Sequence, residues 1–99
     1  MIVRLLPEAE DDLESIGDYI ARDDPRRAVS FVAELRLKVH GLQTMAEAFP
    51  YARIPEHPDL RRRTYRSYGI FYTVDAIAKL VHVQRILHLS RDVLGIFRA

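Results

Sequence analysis

RRRTYRSYGIFYTV, residues Arg61 to Val74, is where the chain changes its period. Arginines at 61, 62, 63 and 66 lead into Tyr68, Ile70, Tyr72 and Val74, which alternate with Gly69, Phe71 and Thr73. Aromatic and β-branched residues repeating every second position predict a strand. Farther on, Val81, Val83, Leu87 and Leu89 alternate with His82, Gln84, Ile86 and His88, and Asp75 to Lys79 is short enough to join the two runs as an antiparallel hairpin.

Upstream of this stretch the period is helical. Ile2 to Leu6 is a short β-type run, after which Pro7 suits the first position of a helix and Glu8, Glu10 and Asp11 suit its positive end. Ala9, Leu13, Ile16 and Ile20 then recur at helical spacing, predicting a helix from about Glu8 to Arg22. Asp23-Asp24-Pro25 stops it and starts a second, whose apolar stripe runs through Ala28, Phe31, Val32, Leu35, Val39, Leu42 and Met45 to the neighbourhood of Phe49-Pro50. So short a break folds the two helices back as a hairpin. Tyr51 to Asp59, with two prolines and few apolar residues, reads as a loop.

The element order is β-α-α-β-β-β, an α+β domain with the helical hairpin on one face of a small, mostly antiparallel sheet. The other face is expected to stay open. By parity Val81, Val83, Leu87 and Leu89 point to the helices, and His82, Gln84 and His88 to the open side. Arg85 falls among the apolar positions, so either an acidic helix residue pairs with it or the strand carries a bulge. Ser90 can cap a short C-terminal helix with Asp92 in its first turn.

A chain of 99 residues with 48% hydrophobic composition and no membrane-length apolar run predicts one soluble domain, residues 1–99. Without cysteine it has no disulfide framework and no thiolate metal site, and no histidine spacing points to zinc, so no metal or cofactor is expected. The N-terminal segment has too short an apolar run for a signal peptide, which makes the cytoplasm the expected compartment. Net charge is +1, yet acids crowd the first quarter and arginines the second half. The small net charge argues against nonspecific nucleic-acid binding, while such segregation suits a specific charged partner or two solvated faces.

AEDDLESIGDYI, DPRRAVSFVAEL, LRRRTYRSYGIFY and VQRILHLSRDV, in this order and spacing, resemble the ParE branch of the RelE/ParE superfamily of bacterial toxin-antitoxin toxins, over about Glu8 to Val93. The resemblance implies a RelE/ParE-like fold and a growth-arresting, plasmid-stabilising toxin. Its implied partners are a cognate antitoxin, a ribbon-helix-helix protein with a disordered C-terminal tail, and DNA gyrase as target. Relatives of the RelE type on the same fold instead cleave messenger RNA in the ribosomal A site, and a degenerate toxin keeping only its antitoxin contact is a third reading.

Metal-free RNA cleavage needs an acid, a base and cations gripping the phosphate; His88, Arg66 and Arg91 are the candidates for a nuclease, with Arg62 and Arg85 as further cations. Lysine occurs only at 38 and 79, and the tail VLGIFRA offers no tyrosine or histidine to complete a catalytic set. The expectation is therefore a binder, with Arg61, Arg62, Arg63, Arg66, His88 and Arg91 as partner-binding residues. Alternatives remain for each. Arg61 to Arg63 can simply protect an edge strand, His88 can cap its strand, and Tyr68 and Tyr72 can be core aromatics or a stacking platform.

Overall fold

The computed structural model describes residues 1–98. Strand β1 (Ile2–Leu5) passes through Leu6 into helix α1 (Pro7–Ala21). Leu6 is extended, as a residue before proline should be, and Pro7 takes a helical position where its missing N–H costs nothing. Asp24 caps helix α2 (Pro25–His40) by accepting the Arg27 N–H at 3.0 Å. The buried stripes, Ala9, Leu13 and Ile16 on α1 and Ala28, Phe31, Leu35 and Val39 on α2, are those the helical period selects.

One expectation needs correction here. The second helix does not run on towards Phe49 but ends at His40, and after Gly41 the chain makes only a single turn, α3 (Leu42–Met45). The cause lies elsewhere in the sequence: Arg63 donates from Nη1 to the Lys38 carbonyl at 3.0 Å, the acceptor a continuing helix would offer to residue 42. Gly41 makes room, since a Cβ there would lie 2.9 Å from that same nitrogen. A cation at this end also suits the helix macrodipole.

Strands β2 (Arg61–Tyr65), β3 (Tyr68–Asp75) and β4 (Leu80–His88) complete a sheet of order β1-β4-β3-β2. β1 runs parallel to β4 and the other pairs are antiparallel. A parallel neighbour demands a crossover, and the helical hairpin provides it. The α+β, mostly antiparallel architecture is thus as expected, with a short C-terminal helix α4 (Val93–Arg98). Asp92 caps α4, accepting the Gly95 N–H at 3.0 Å, while the expected cap, Ser90, is engaged with His88. Among the described residues no helix is long and apolar enough to cross a membrane.

The parity of β4 is half right. Val81 and Val83 join the main core under the helices, but the pairing slips between Phe71, opposite Arg85, and Tyr72, opposite Val83. The extra residue, Gln84, is a bulge that exchanges the faces of everything after it. Ile86 therefore enters the helix-side core and His88 packs edge-on against Tyr68, while Leu87 and Leu89 turn to the other face. Nor is that other face fully open. Ile54, Leu60, Phe71 and Leu87 are buried there, with Val93, Ile96 and Phe97 of α4 packed on them.

Candidate partner-binding surface

The arginine run splits by strand parity. Arg61 and Arg63 pair across β2/β3 with Tyr72 and Ile70 and share their helix-side face, whereas Arg62 pairs with Phe71 and lies opposite. Arg61 donates from Nη1 to the Phe49 carbonyl at 2.7 Å and from Nη2 to the Tyr51 hydroxyl at 3.0 Å, over whose ring its guanidinium sits at 4.1 Å. Arg63, besides the Lys38 carbonyl, stacks 4.6 Å above Phe49. Tyr72 adds a third contact, donating to the Ala46 carbonyl at 2.6 Å; burial pushes its phenol up to about 12.

Three sheet side chains thus take the carbonyls of Lys38, Ala46 and Phe49, near where the helical segments end. The guanidiniums of Arg61 and Arg63 are half-buried and hydrogen-bonded within the chain.

Arg62 has no side-chain hydrogen bond or ion pair among the described residues, and its backbone N–H goes to Pro50. Arg66 sits in the β2–β3 turn with φ of 51°, a left-handed conformation that favours glycine. Its Nε reaches the Tyr65 hydroxyl at 3.4 Å, and Tyr65 in turn donates to Glu34, whose second partner is Arg27. The Arg27 and Tyr65 hydrogen bonds hold the Glu34 carboxyl below its ordinary pKa, and Arg66 is raised by its contact with Tyr65. Arg66 is thereby tied to the α2 side of the molecule.

His88 and Arg91 belong elsewhere, to a cleft of about 690 Å³ between α1 and the end of β4. Its walls include Asp12 and Tyr19 from α1, Tyr68, and Arg85. The His88 Nδ1 accepts from the Ser90 N–H at 3.1 Å and lies 2.7 Å from Ser90 Oγ, so in the neutral ring the proton belongs on Nε2. Arg85 is held by Asp12 through two hydrogen bonds of 2.8 and 2.9 Å, so the acidic helix partner and the bulge anticipated as alternatives are both present.

Of the six nominated residues the structure brings only His88 and Arg91 into one cleft. Arg66 is not among that cleft's lining residues, and Arg62 lies on the α4 side of the sheet. Asp12 and Tyr19 escaped the reading of the sequence; the misplaced Arg85 was the one signal pointing to the former.

The family model described as the ParE toxin of type II toxin-antitoxin systems, parDE, matches residues 3–93. No curated protein matches significantly. Among solved structures, a chain of the chromosomal ParDE toxin-antitoxin system from P. aeruginosa superposes with a TM-score of 0.77 at 24% identity, covering 90% of this chain and 96% of that one. A chain of the toxin-antitoxin complex RelBE2 from Mycobacterium tuberculosis gives 0.66 at 20% identity, with 88% and 95% covered. At these identities the superpositions speak for the fold, a strand, a helical hairpin and an antiparallel sheet shared throughout. With the family match spanning nearly its whole described length, this chain belongs to the ParE toxin family of type II toxin-antitoxin systems.

Proposed function

We propose that this ParE-family toxin acts in the cytoplasm by binding DNA gyrase, without catalysis of its own, and that a cognate antitoxin holds it inactive. The observation that carries the binding reading is the separation of the cations. A phosphoryl site must converge acid, base and guanidinium on one phosphate. Here Arg66 contacts the Tyr65 hydroxyl and is not among the residues lining the cleft of His88 and Arg91.

Dispersed cations suit extended contact with a protein. In this reading Arg62, half-buried but without a side-chain partner among the described residues, and the exposed Arg91 pair with carboxylates of a long antitoxin tail. The tail belongs to a ribbon-helix-helix protein and orders on binding, at a cost on the order of 2 to 5 kcal/mol that contact area must offset. His88 at the cleft adds a donor through Nε2.

Purified toxin is expected to inhibit gyrase supercoiling or to trap cleaved DNA, and added antitoxin to reverse both. Translation extracts should stay active at the same concentrations. Normal gyrase activity at saturating toxin rules the reading out, and A-site cleavage of messenger RNA that is lost in His88→Ala and Arg91→Ala establishes the nuclease in its place.

A further inference from the structure

The cleft of about 690 Å³ between α1 and the end of β4 has a lopsided polar lining. Its one carboxylate, Asp12, is already engaged, with both oxygens on Arg85 and one of them also on the Ile86 N–H. Asp92, next to Arg91 in the chain, is held by the Gly95 N–H as the cap of α4. What remains is chiefly donors. The hydroxyls of Ser15, Tyr19 and Tyr68 and the guanidinium of Arg91 have no side-chain partner among the described residues, and with Ser90 on Nδ1 the neutral His88 ring keeps its proton on Nε2.

The rest of the lining is apolar and aromatic. Ile16 and Ile86 bring buried aliphatic side chains to it, and the tyrosines stand on two different elements, Tyr19 on α1 and Tyr68 on β3. Burial raises the Tyr68 phenol above its ordinary pKa and the neighbouring Tyr19 phenol adds to the effect, so the two lie close together. His88 sits edge-on to Tyr68 with ring centroids 5.0 Å apart. Tyr19 is 66% exposed, aromatic surface that a bound ring would take out of water.

Charge selects among ligands. The Asp12–Arg85 pair is neutral as a unit, so Arg91 is the one unpaired guanidinium among the described residues of the cleft. A ligand with a single negative charge matches it, whereas a phosphate monoester carries nearly two at neutral pH. A carboxylate also presents the two coplanar oxygens that a guanidinium fork takes. An apolar, ring-lined floor suits a planar apolar body. We infer that the cleft is a binding site for a small aromatic monocarboxylate, with its carboxylate on Arg91 and the His88 Nε2 and its ring against Ile16, Ile86 and the two tyrosines. The ligand is a free small molecule, so the inference depends on neither gyrase nor the antitoxin.

Calorimetric titration of the full chain with indole-3-acetate tests it, beside indole-3-acetamide, which keeps the ring without the charge, and acetate, which keeps the charge without the ring. Indole-3-acetate should bind at least about tenfold tighter than either. Arg91→Ala, at an exposed position, should erase the preference over the amide, and Arg91→Lys should restore only part of it because a point charge replaces the fork. Ser15→Trp, at an exposed position of α1, should fill the cleft and weaken the acid at least about tenfold with the melting temperature kept. Arg4→Ala removes an equal charge from β1, outside the cleft, and should change nothing. Equal affinity for acid and amide, no binding of the acid, or undiminished binding to Arg91→Ala or Ser15→Trp overturns the proposal. So does a phenylalanine-terminated hexapeptide that binds at least about tenfold tighter than indole-3-acetate, which would make a protein's C-terminus the occupant.

Discussion

Asp12 on α1 grips Arg85 on β4 with both carboxylate oxygens, Nε to Oδ2 at 2.8 Å and Nη2 to Oδ1 at 2.9 Å, while Oδ2 also accepts the Ile86 N–H at 2.9 Å. The reason is geometric: β1 ends at Leu5, opposite Val83, and beyond it the outer edge of β4 has no strand beside it. Asp12 stands in for that strand and anchors the bulge at the same time. Its hydrogen bond and charge raise Arg85 above the ordinary arginine pKa.

Removing one partner strands a partly buried charge, so Asp12→Ala should destabilise the fold by about 2–3 kcal/mol. In denaturant titrations the double mutant Asp12→Ala/Arg85→Ala should lose less than the sum of the single changes, with a coupling of about 1–2 kcal/mol. Strict additivity would mean that the pair contributes nothing as a pair.

Neighbouring arginines in the run should behave differently. Arg63→Ala leaves the end of α2 without its cationic cap and Phe49 without its stacked guanidinium, an expected loss of about 1–2 kcal/mol. Arg62→Ala, which removes no side-chain hydrogen bond among the described residues, should stay within about 0.5 kcal/mol of wild type. Thermal melts of the two variants side by side decide the matter.

Tyr72 makes stability depend on alkaline pH. Its folded phenol titrates at about 12, above the unfolded value near 10. In that interval the folded state keeps a proton the unfolded state has lost, so stability falls as pH rises from about 10 to about 12, by up to ~1.4 kcal/mol per pH unit. Tyr72→Phe should flatten this slope. At neutral pH it should cost about 1–2 kcal/mol, because the Ala46 carbonyl loses its donor. A stability-pH profile of both proteins by urea unfolding measures each effect.

For the proposed antitoxin contact, Arg62→Glu and Arg91→Glu should each weaken binding of the cognate antitoxin at least about tenfold, roughly 1.4 kcal/mol, with the melting temperature nearly unchanged. Calorimetric titration of the toxin variants with antitoxin gives the comparison. Affinities equal to wild type for both would move the interface away from these side chains.

Much of the molecule follows from local rules. Pro7, Pro25 and the Asp24 cap start the helices where the chain says they should, the helical stripes bury Leu13, Ile16, Phe31 and Leu35, and alternation places Ile70 and Tyr72 in the core. Those signals are short-range, carried by residues within a turn or a strand pair of one another, so the sequence alone determined the element order, the helical hairpin and the α+β class. It could not determine where α2 ends, because the side chain that takes the Lys38 carbonyl comes from Arg63, far along the chain. Nor could parity foresee that one extra residue at Gln84 would turn His88 towards α1 and Leu87 towards α4. Which arginines hydrogen-bond inside the chain was likewise decided by packing: Arg61 and Arg63 lie beside helix-end carbonyls and satisfy them, whereas Arg62, on the opposite face of β2, donates no side-chain hydrogen bond among the described residues.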